Sequence, residues 1–330
     1  MEGTKKGLLA ISALLIVAMV VALTGCGSAI KKVYQIGVIQ IVEQPALDAA
    51  YKGFKEEMAA EGYKDGDNIK LDYKNAQGDT NNLNTIASQF VGEKKDMIFA
   101  IATPSAQAVA NQTSTIPIVG TAITDYVAAK LVVSNEKPGR NVTGTSDLNP
   151  VAKQIDLGIA LVPNAKTVGI AYNSSEVNSV YQAGVAKKEI AAKGLKAVEV
   201  TVTSANDVQQ AIQSLTTKCD FIYIPTDNTM ASTISTVTNV ANSAKIPLIM
   251  GEPNMVKGGG LATMGVDYES LGRATAKMAV EIIKGEKPAD MPIQFAKDTP
   301  VVINSDTVKK IGITIPQDYQ QYIKAPADIS

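Results

Sequence analysis

The sequence predicts an α/β protein of two Rossmann-like lobes, each built on a parallel central sheet, joined by a hinge of several crossings. Short Ile/Val-rich runs alternate with longer helical patterns, which is βαβ rhythm. The whole alternation occurs twice, and the tail holds more structure than one lobe needs.

In the first half, the runs 34–41, 69–73, 97–102 and 116–119 are rich in Ile and Val and mostly lack a clean polar alternation. That suits strands covered on both faces. Helical patterns fall between them at 46–61, 81–94 and 105–112, and Gly62 closes the first as a C-terminal cap. The plan then restarts. Strands are expected at 167–172, 196–202, 220–225 and 247–250, with helices at 179–193, 206–216 and 229–244. Ile36-Gly37-Val38 matches Val168-Gly169-Ile170, and Ile116-Pro117-Ile118 matches Ile246-Pro247-Leu248. Two copies argue for a pair of similar lobes rather than a solenoid.

Residues 141–149 read as a crossing between lobes. Beyond Gly258 a strand (261–266), a helix (271–283) and two short strands (292–295 and 301–303) imply at least one further crossing. The expected first lobe is 34–149 plus about 268–296, and the second is 150–267 plus about 297–330. Gly258-Gly259-Gly260 has neither glycine order of a phosphate loop and precedes a strand, so it reads as a turn.

The N-terminus reads as an address. Lys5 and Lys6 precede an uncharged apolar run, 7–23, which ends in Leu23-Thr24-Gly25-Cys26. The run alone would also suit an uncleaved signal anchor. The ending matches the bacterial lipobox, which makes 1–25 a signal peptide, Cys26 the lipidated first residue and 26–33 a tether. The folded body is then expected outside the cytoplasmic membrane, at the cell surface or in the periplasm.

Composition removes whole classes of chemistry. The 330 residues contain no histidine, two cysteines and a net charge of -1. Histidine-based catalysis, histidine metal sites and cysteine clusters are excluded, and a nucleic-acid partner is not expected. Arg140 and Arg273 are the only arginines, which disfavours an arginine clamp on phosphate. No cofactor, metal or catalytic residue is expected. Cys219 reads as a buried small hydrophobe.

Ligands of open parallel sheets bind beyond the carboxyl ends of the strands, where helix N-termini offer free N–H groups. The residues there are unusually rich in hydroxyls, amides and carboxylates. The first lobe offers Glu43, Thr103, Pro104, Ser105, Thr124 and Asp125; the second offers Tyr172, Asn173, Asp227, Asn228 and Asp267. Thr103 and Ser105 open a helix, which suits a carboxylate, and Asp227 can accept an ammonium from the opposite lobe. Structural alternatives stand beside these. Ser105, Thr229 and Asp125 also suit plain helix caps, Asp227 a turn, and Tyr172 the core.

Several stretches together resemble one family: Glu43-Gln44-Pro45-Ala46-Leu47-Asp48, Asn75-Ala76-Gln77-Gly78-Asp79, Ala100-Ile101-Ala102-Thr103-Pro104, Asn141-Val142-Thr143-Gly144, Tyr223-Ile224-Pro225-Thr226-Asp227-Asn228-Thr229 and Gly285-Glu286-Lys287-Pro288-Ala289-Asp290. They are similar to the substrate-binding lipoproteins of ABC transporters in the tryptophan/tyrosine, TrpX-like group. The resemblance covers nearly all of the chain after the tether. It implies a type I periplasmic-binding fold with three crossovers, a monomer that closes on an amino-acid-like ligand, often aromatic, and delivery to a permease with its ATPases. It also implies that Thr103, Ser105 and Thr124 take the carboxylate, and Asp227 the amino group with help from Asn173. Gln44 departs from the group, many of whose members carry histidine there. Another cargo (a branched amino acid, nucleoside or sugar) and a ligand-sensing lipoprotein are the alternatives. The absence of tryptophan and an aromatic content of 5% disfavour a sugar, which usually stacks on ring faces.

Overall fold

The computed structural model describes residues 32–329, so the signal peptide (1–25), Cys26 and most of the tether lie outside the described residues. The first sheet uses β1 (Tyr34–Gln40), β2 (Ile69–Asn75), β3 (Met97–Ile101), β4 (Ile118–Ile123) and β5 (Val142–Ser146). Between them lie helices α1 (Pro45–Ala60), α2 (Thr80–Gly92) and α3 (Thr103–Ala110). Helix α4 (Val151–Leu161) opens the second lobe. There β6 (Thr167–Asn173), β7 (Lys196–Val202), β8 (Phe221–Ile224), β9 (Leu248–Met250) and β10 (Ala262–Met264) alternate with α5 (Val177–Ala192), α6 (Val208–Leu215), α7 (Asn228–Ser232), α8 (Ile234–Ser243) and α9 (Pro253–Lys257). The tail gives α10 (Tyr268–Lys284), β11 (Gln294–Phe295), β12 (Val301–Asn304), α11 (Ser305–Ile311) and β13 (Ile323–Lys324).

The six strands of the first sheet run β11-β5-β4-β3-β1-β2, all parallel. The second sheet runs β13-β12-β10-β9-β8-β6-β7, parallel except where β12 meets β10. Every residue of β3 and β4 is buried, because helices cover both faces, and so these strands carry no polar alternation. Phe54 of α1 stacks on Phe99 of β3 with ring centroids 3.8 Å apart. In the second lobe, apolar clusters fill the two sides of the sheet separately. Cys219 is half-buried there, and burial pushes its thiol up to about 11.

The chain passes between sheets three times, at 147–150, 265–267 and 296–300. The first two passages are tied together: Asn149 donates from Nδ2 to the Gly251 carbonyl (2.8 Å) and accepts the Val266 N–H at Oδ1 (3.0 Å).

Several local expectations need correction. Residues 142–146 are a paired strand, β5, and only 147–150 cross. The single helix expected at 229–244 is two. It breaks at Thr233, whose φ of -111° leaves the helical region. Strand β13 and helices α4, α9 and α11 had no expectation; β13 has only two residues, too few for a pattern.

Candidate functional site

The carboxyl ends of both sheets face one cleft. Deep in it lies a narrow space of about 10 Å³, with Gln44, Leu47, Ala122 and Thr124 on the first-lobe side and Asn178, Thr226, Asp227, Asn228 and Ala231 on the second. Asp147, Glu252 and Tyr268, at or beside the crossings, close the hinge end. A wider polar mouth of about 750 Å³ opens on the opposite side and is bordered by Pro104, Asn173, Glu176 and Thr229; Asn228 borders both spaces.

On the first lobe, Ala102 (φ 76°) and Ala122 (φ 55°), both beside the cleft, adopt left-handed backbone that disfavours a Cβ. Ala102 starts α3, and Ala122 sits in a bulge of β4. Together they bring the Thr124 N–H to Thr103 Oγ1 (3.4 Å) beside the N-terminus of α3. Helix α3 has no side-chain cap, and the buried Ser105 hydroxyl has no hydrogen-bond partner. Free first-turn N–H groups, the positive helix end and an unsatisfied hydroxyl make this corner fit an anion.

The second-lobe wall and the hinge end are acidic. Asp147, Asp227 and Glu252 are each 1% exposed and Glu176 is 6% exposed, yet none forms an ion pair with another described residue. Glu176 accepts from Asn228 N and Nδ2, from Thr229 N and Oγ1, and from Asn178 Nδ2. Asp227 caps α7 through Met230 N (2.8 Å) and accepts Asn173 N (2.6 Å). Glu252 caps α9 through Asn254 N and Met255 N. Asp147 accepts from two hydroxyls, Thr124 Oγ1 (3.0 Å) and Tyr268 Oη (2.7 Å). Burial raises the pKa of Asp147, and burial with the neighbouring Glu176 charge raises that of Asp227. Burial pushes Glu252 up to about 7. Unpaired buried acids are costly, and a cation entering the cleft relieves that cost.

Of the sequence candidates, Thr124, Asp227 and Asn228 line the narrow space, with Thr103, Ser105 and Asn173 immediately behind it and Pro104 at the mouth. Four belong elsewhere. Glu43 is exposed and turned out; its neighbour Gln44 occupies the cavity wall, its Oε1 accepting the Ala46 N–H to start α1. Tyr172 packs into the core and donates to Glu199 on the edge strand β7. Asp267 caps α10 through Ser270 N and borders a separate pocket beside Phe295 and Pro300. Asp125 caps the turn at Val127 and Ala128, and its carboxylate is near enough to Tyr181 of the other lobe to add to burial in raising that tyrosine's pKa. The sequence reading did not single out Asp147, Glu176 or Asn178, whereas Gly251-Glu252 and Asp267-Tyr268 do follow strands, where ligands are expected. Asp147 follows a strand like the other candidates, and it was missed because β5 was read as a connection.

A family model described as ABC transporter substrate binding protein matches residues 35–324. The chain belongs to that family. It is therefore a solute-binding protein and not an enzyme, and proteins of this family work outside the cytoplasm. The Tyrosine-binding protein of Clostridioides difficile (strain R20291) is 45% identical over 296 residues, covering 89% of this chain and 86% of that one. The crystal structure of an ABC domain in complex with L-Trp from Streptococcus pneumoniae is 40% identical with a TM-score of 0.86, over 89% of this chain and 100% of that one. The ligand-free, open structure of a substrate binding protein with adhesive properties from Clostridium difficile is 46% identical, over 89% and 99%, yet its TM-score is 0.67. This substrate-binding protein thus superposes better on the complex than on an open relative closer to it in sequence. Its lobes are closed, which brings Asp125 of one near Tyr181 of the other.

Proposed function

We propose that this substrate-binding protein is a monomeric lipoprotein, anchored through Cys26, that closes on an aromatic amino acid and delivers it to an ABC permease with its ATPases. The observation that carries the ligand class is the opposition of charge in the cleft: an uncapped helix N-terminus with the unpartnered Ser105 hydroxyl faces buried acids that have no ion-pair partner. A zwitterion satisfies both walls, and each charged hydrogen bond is worth about 1.5–3 kcal/mol. In this reading the carboxylate meets Thr103, Ser105 and Thr124, and the ammonium meets Asp227, held in place by Asn173. The names of the relatives, one tyrosine-binding and one holding L-Trp, favour an aromatic side chain.

The test is a thermal-shift panel on protein starting after Cys26, refolded from denaturant to strip bound ligand, with amino acids, sugars and nucleosides as probes. A ligand at 100 times its Kd adds about 2.7 kcal/mol of stability. Stabilisation by Trp, Tyr or Phe, lost in Asp227→Ala, is expected. Stabilisation by a sugar or nucleoside alone overturns the zwitterion site.

A further inference from the structure

The cleft has two ends of different character. Of the groups suited to a zwitterion, the start of α3 adjoins the open mouth at Pro104, while Asp227 and Thr124 line the inner space, where the Thr124 hydroxyl donates to Asp147 Oδ1 (3.0 Å). A ligand held between them by its carboxylate and ammonium extends its side chain away from the mouth, past Leu47, Ala122 and Ala231, to the hinge end. An apolar wall would be expected to receive a purely hydrocarbon ring. The hinge end instead holds Asp147, with Glu252 and Tyr268 beside it.

Asp147 differs from the other buried acids in its partners. Asp227 and Glu252 fix helix starts through backbone N–H groups, and Glu176 is surrounded by five donors. Asp147 accepts one hydroxyl per oxygen, Thr124 on Oδ1 and Tyr268 on Oδ2, so each oxygen keeps acceptor capacity, and the residue lines the cavity. Resting on the amino-acid reading above, we infer that Asp147 is a specificity-determining residue that accepts a hydrogen bond from a donor at the tip of the ligand's side chain, a phenol O–H or an indole N–H. A ring without such a donor leaves a buried acceptor unsatisfied, and sites built this way reject the analogue that lacks the group.

The test measures Kd for Tyr, Trp and Phe by calorimetry on the wild-type protein and on Asp147→Asn. The two hydroxyl partners can each reverse direction towards an amide, so the asparagine is accommodated. The wild type is expected to bind Tyr and Trp about ten- to a hundredfold more tightly than Phe. In Asp147→Asn the ratio of Tyr to Phe affinity is expected to fall by about tenfold, through weaker Tyr binding. Equal wild-type affinities for Tyr and Phe overturn the inference, a result that needs no folded variant. So does an equal loss for all three ligands in the variant, which places Asp147 on the ammonium, and so does an unchanged ratio. A wild-type protein that binds none of the three defeats the amino-acid reading itself, and is told apart by that.

Discussion

Gly272 of α10 lies against the backbone of Ala50 in α1 so closely that a Cβ built on it stands 1.9 Å from the Ala50 carbonyl oxygen. The contact is reciprocal, since a Cβ on Gly53 stands 2.1 Å from the Glu269 oxygen. Two helices at this distance cannot separate locally without moving the first turn of α10, where Tyr268 closes the cavity. Gly272→Ala is expected to lower stability by about 1–3 kcal/mol in urea unfolding and to weaken ligand binding as well. An unchanged midpoint would mean the helices part freely.

Ser105 gives a cleaner separation of fold from function. Its hydroxyl is fully buried and bonds to nothing in the protein, so Ser105→Ala removes a desolvated group and no contact. Stability of the ligand-free protein is expected to hold or rise by up to about 1 kcal/mol, while amino-acid affinity falls by about tenfold. Calorimetry and chemical unfolding of one variant check both halves.

The buried acids set a pH dependence with a definite sign. Burial raises the pKa of Asp147, Asp227 and Glu252, so the folded protein holds more protons than the unfolded chain between about pH 4 and 7. Their contribution is fully present below the unfolded values and is lost as pH rises through the folded ones. Glu252 alone, moved from 4.5 to about 7, accounts for roughly 3 kcal/mol by pH 8. Unliganded protein should melt higher at pH 5 than at pH 8. A bound ammonium beside Asp227 pulls that residue's pKa back down, so ligand stabilises more at pH 8 than at pH 5. Melting curves with and without ligand test both trends.

Closure brings Tyr181 of α5 near the Asp125 carboxylate of the first lobe, close enough for that charge to add to burial in raising the tyrosine's pKa. A hydrogen bond formed between them in the closed state alone would be worth about 0.5–1.5 kcal/mol, a two- to tenfold effect on affinity. Tyr181→Phe should show that drop, together with a larger fraction of open molecules in small-angle scattering without ligand. A change in affinity with no change in scattering would place Tyr181 on the ligand instead.

The lobes were legible because buried parallel strands leave unbroken apolar runs, as Ile98-Phe99-Ala100 does, and because glycines such as Gly62 and Gly194 punctuate the helices. The rule that ligands sit beyond strand ends brought Thr103, Ser105, Thr124 and Asp227 to the cleft. It failed where a strand was itself unrecognised. Val142-Thr143-Gly144-Thr145-Ser146 is polar in composition yet fully buried, since Thr143 and Thr145 spend their hydroxyls on Met291 O and on Thr275. The rule also cannot say which way a side chain turns. Tyr172 and Asn173 are neighbours in β6, and successive residues of a strand point to opposite faces.

The interleaving of the two sheets also dictates the order in which the molecule can be completed. Strand β11 and helix α10 belong to the first sheet's layer but are encoded after nearly all of the second. A chain emerging N-terminus first therefore carries an unfinished first lobe, with Phe54 and Ala50 lacking the cover of α10, until residue 284 is free. Neither lobe can fold to completion as an independent early unit, and the assembling polypeptide stays pliable until almost its last tenth has been made.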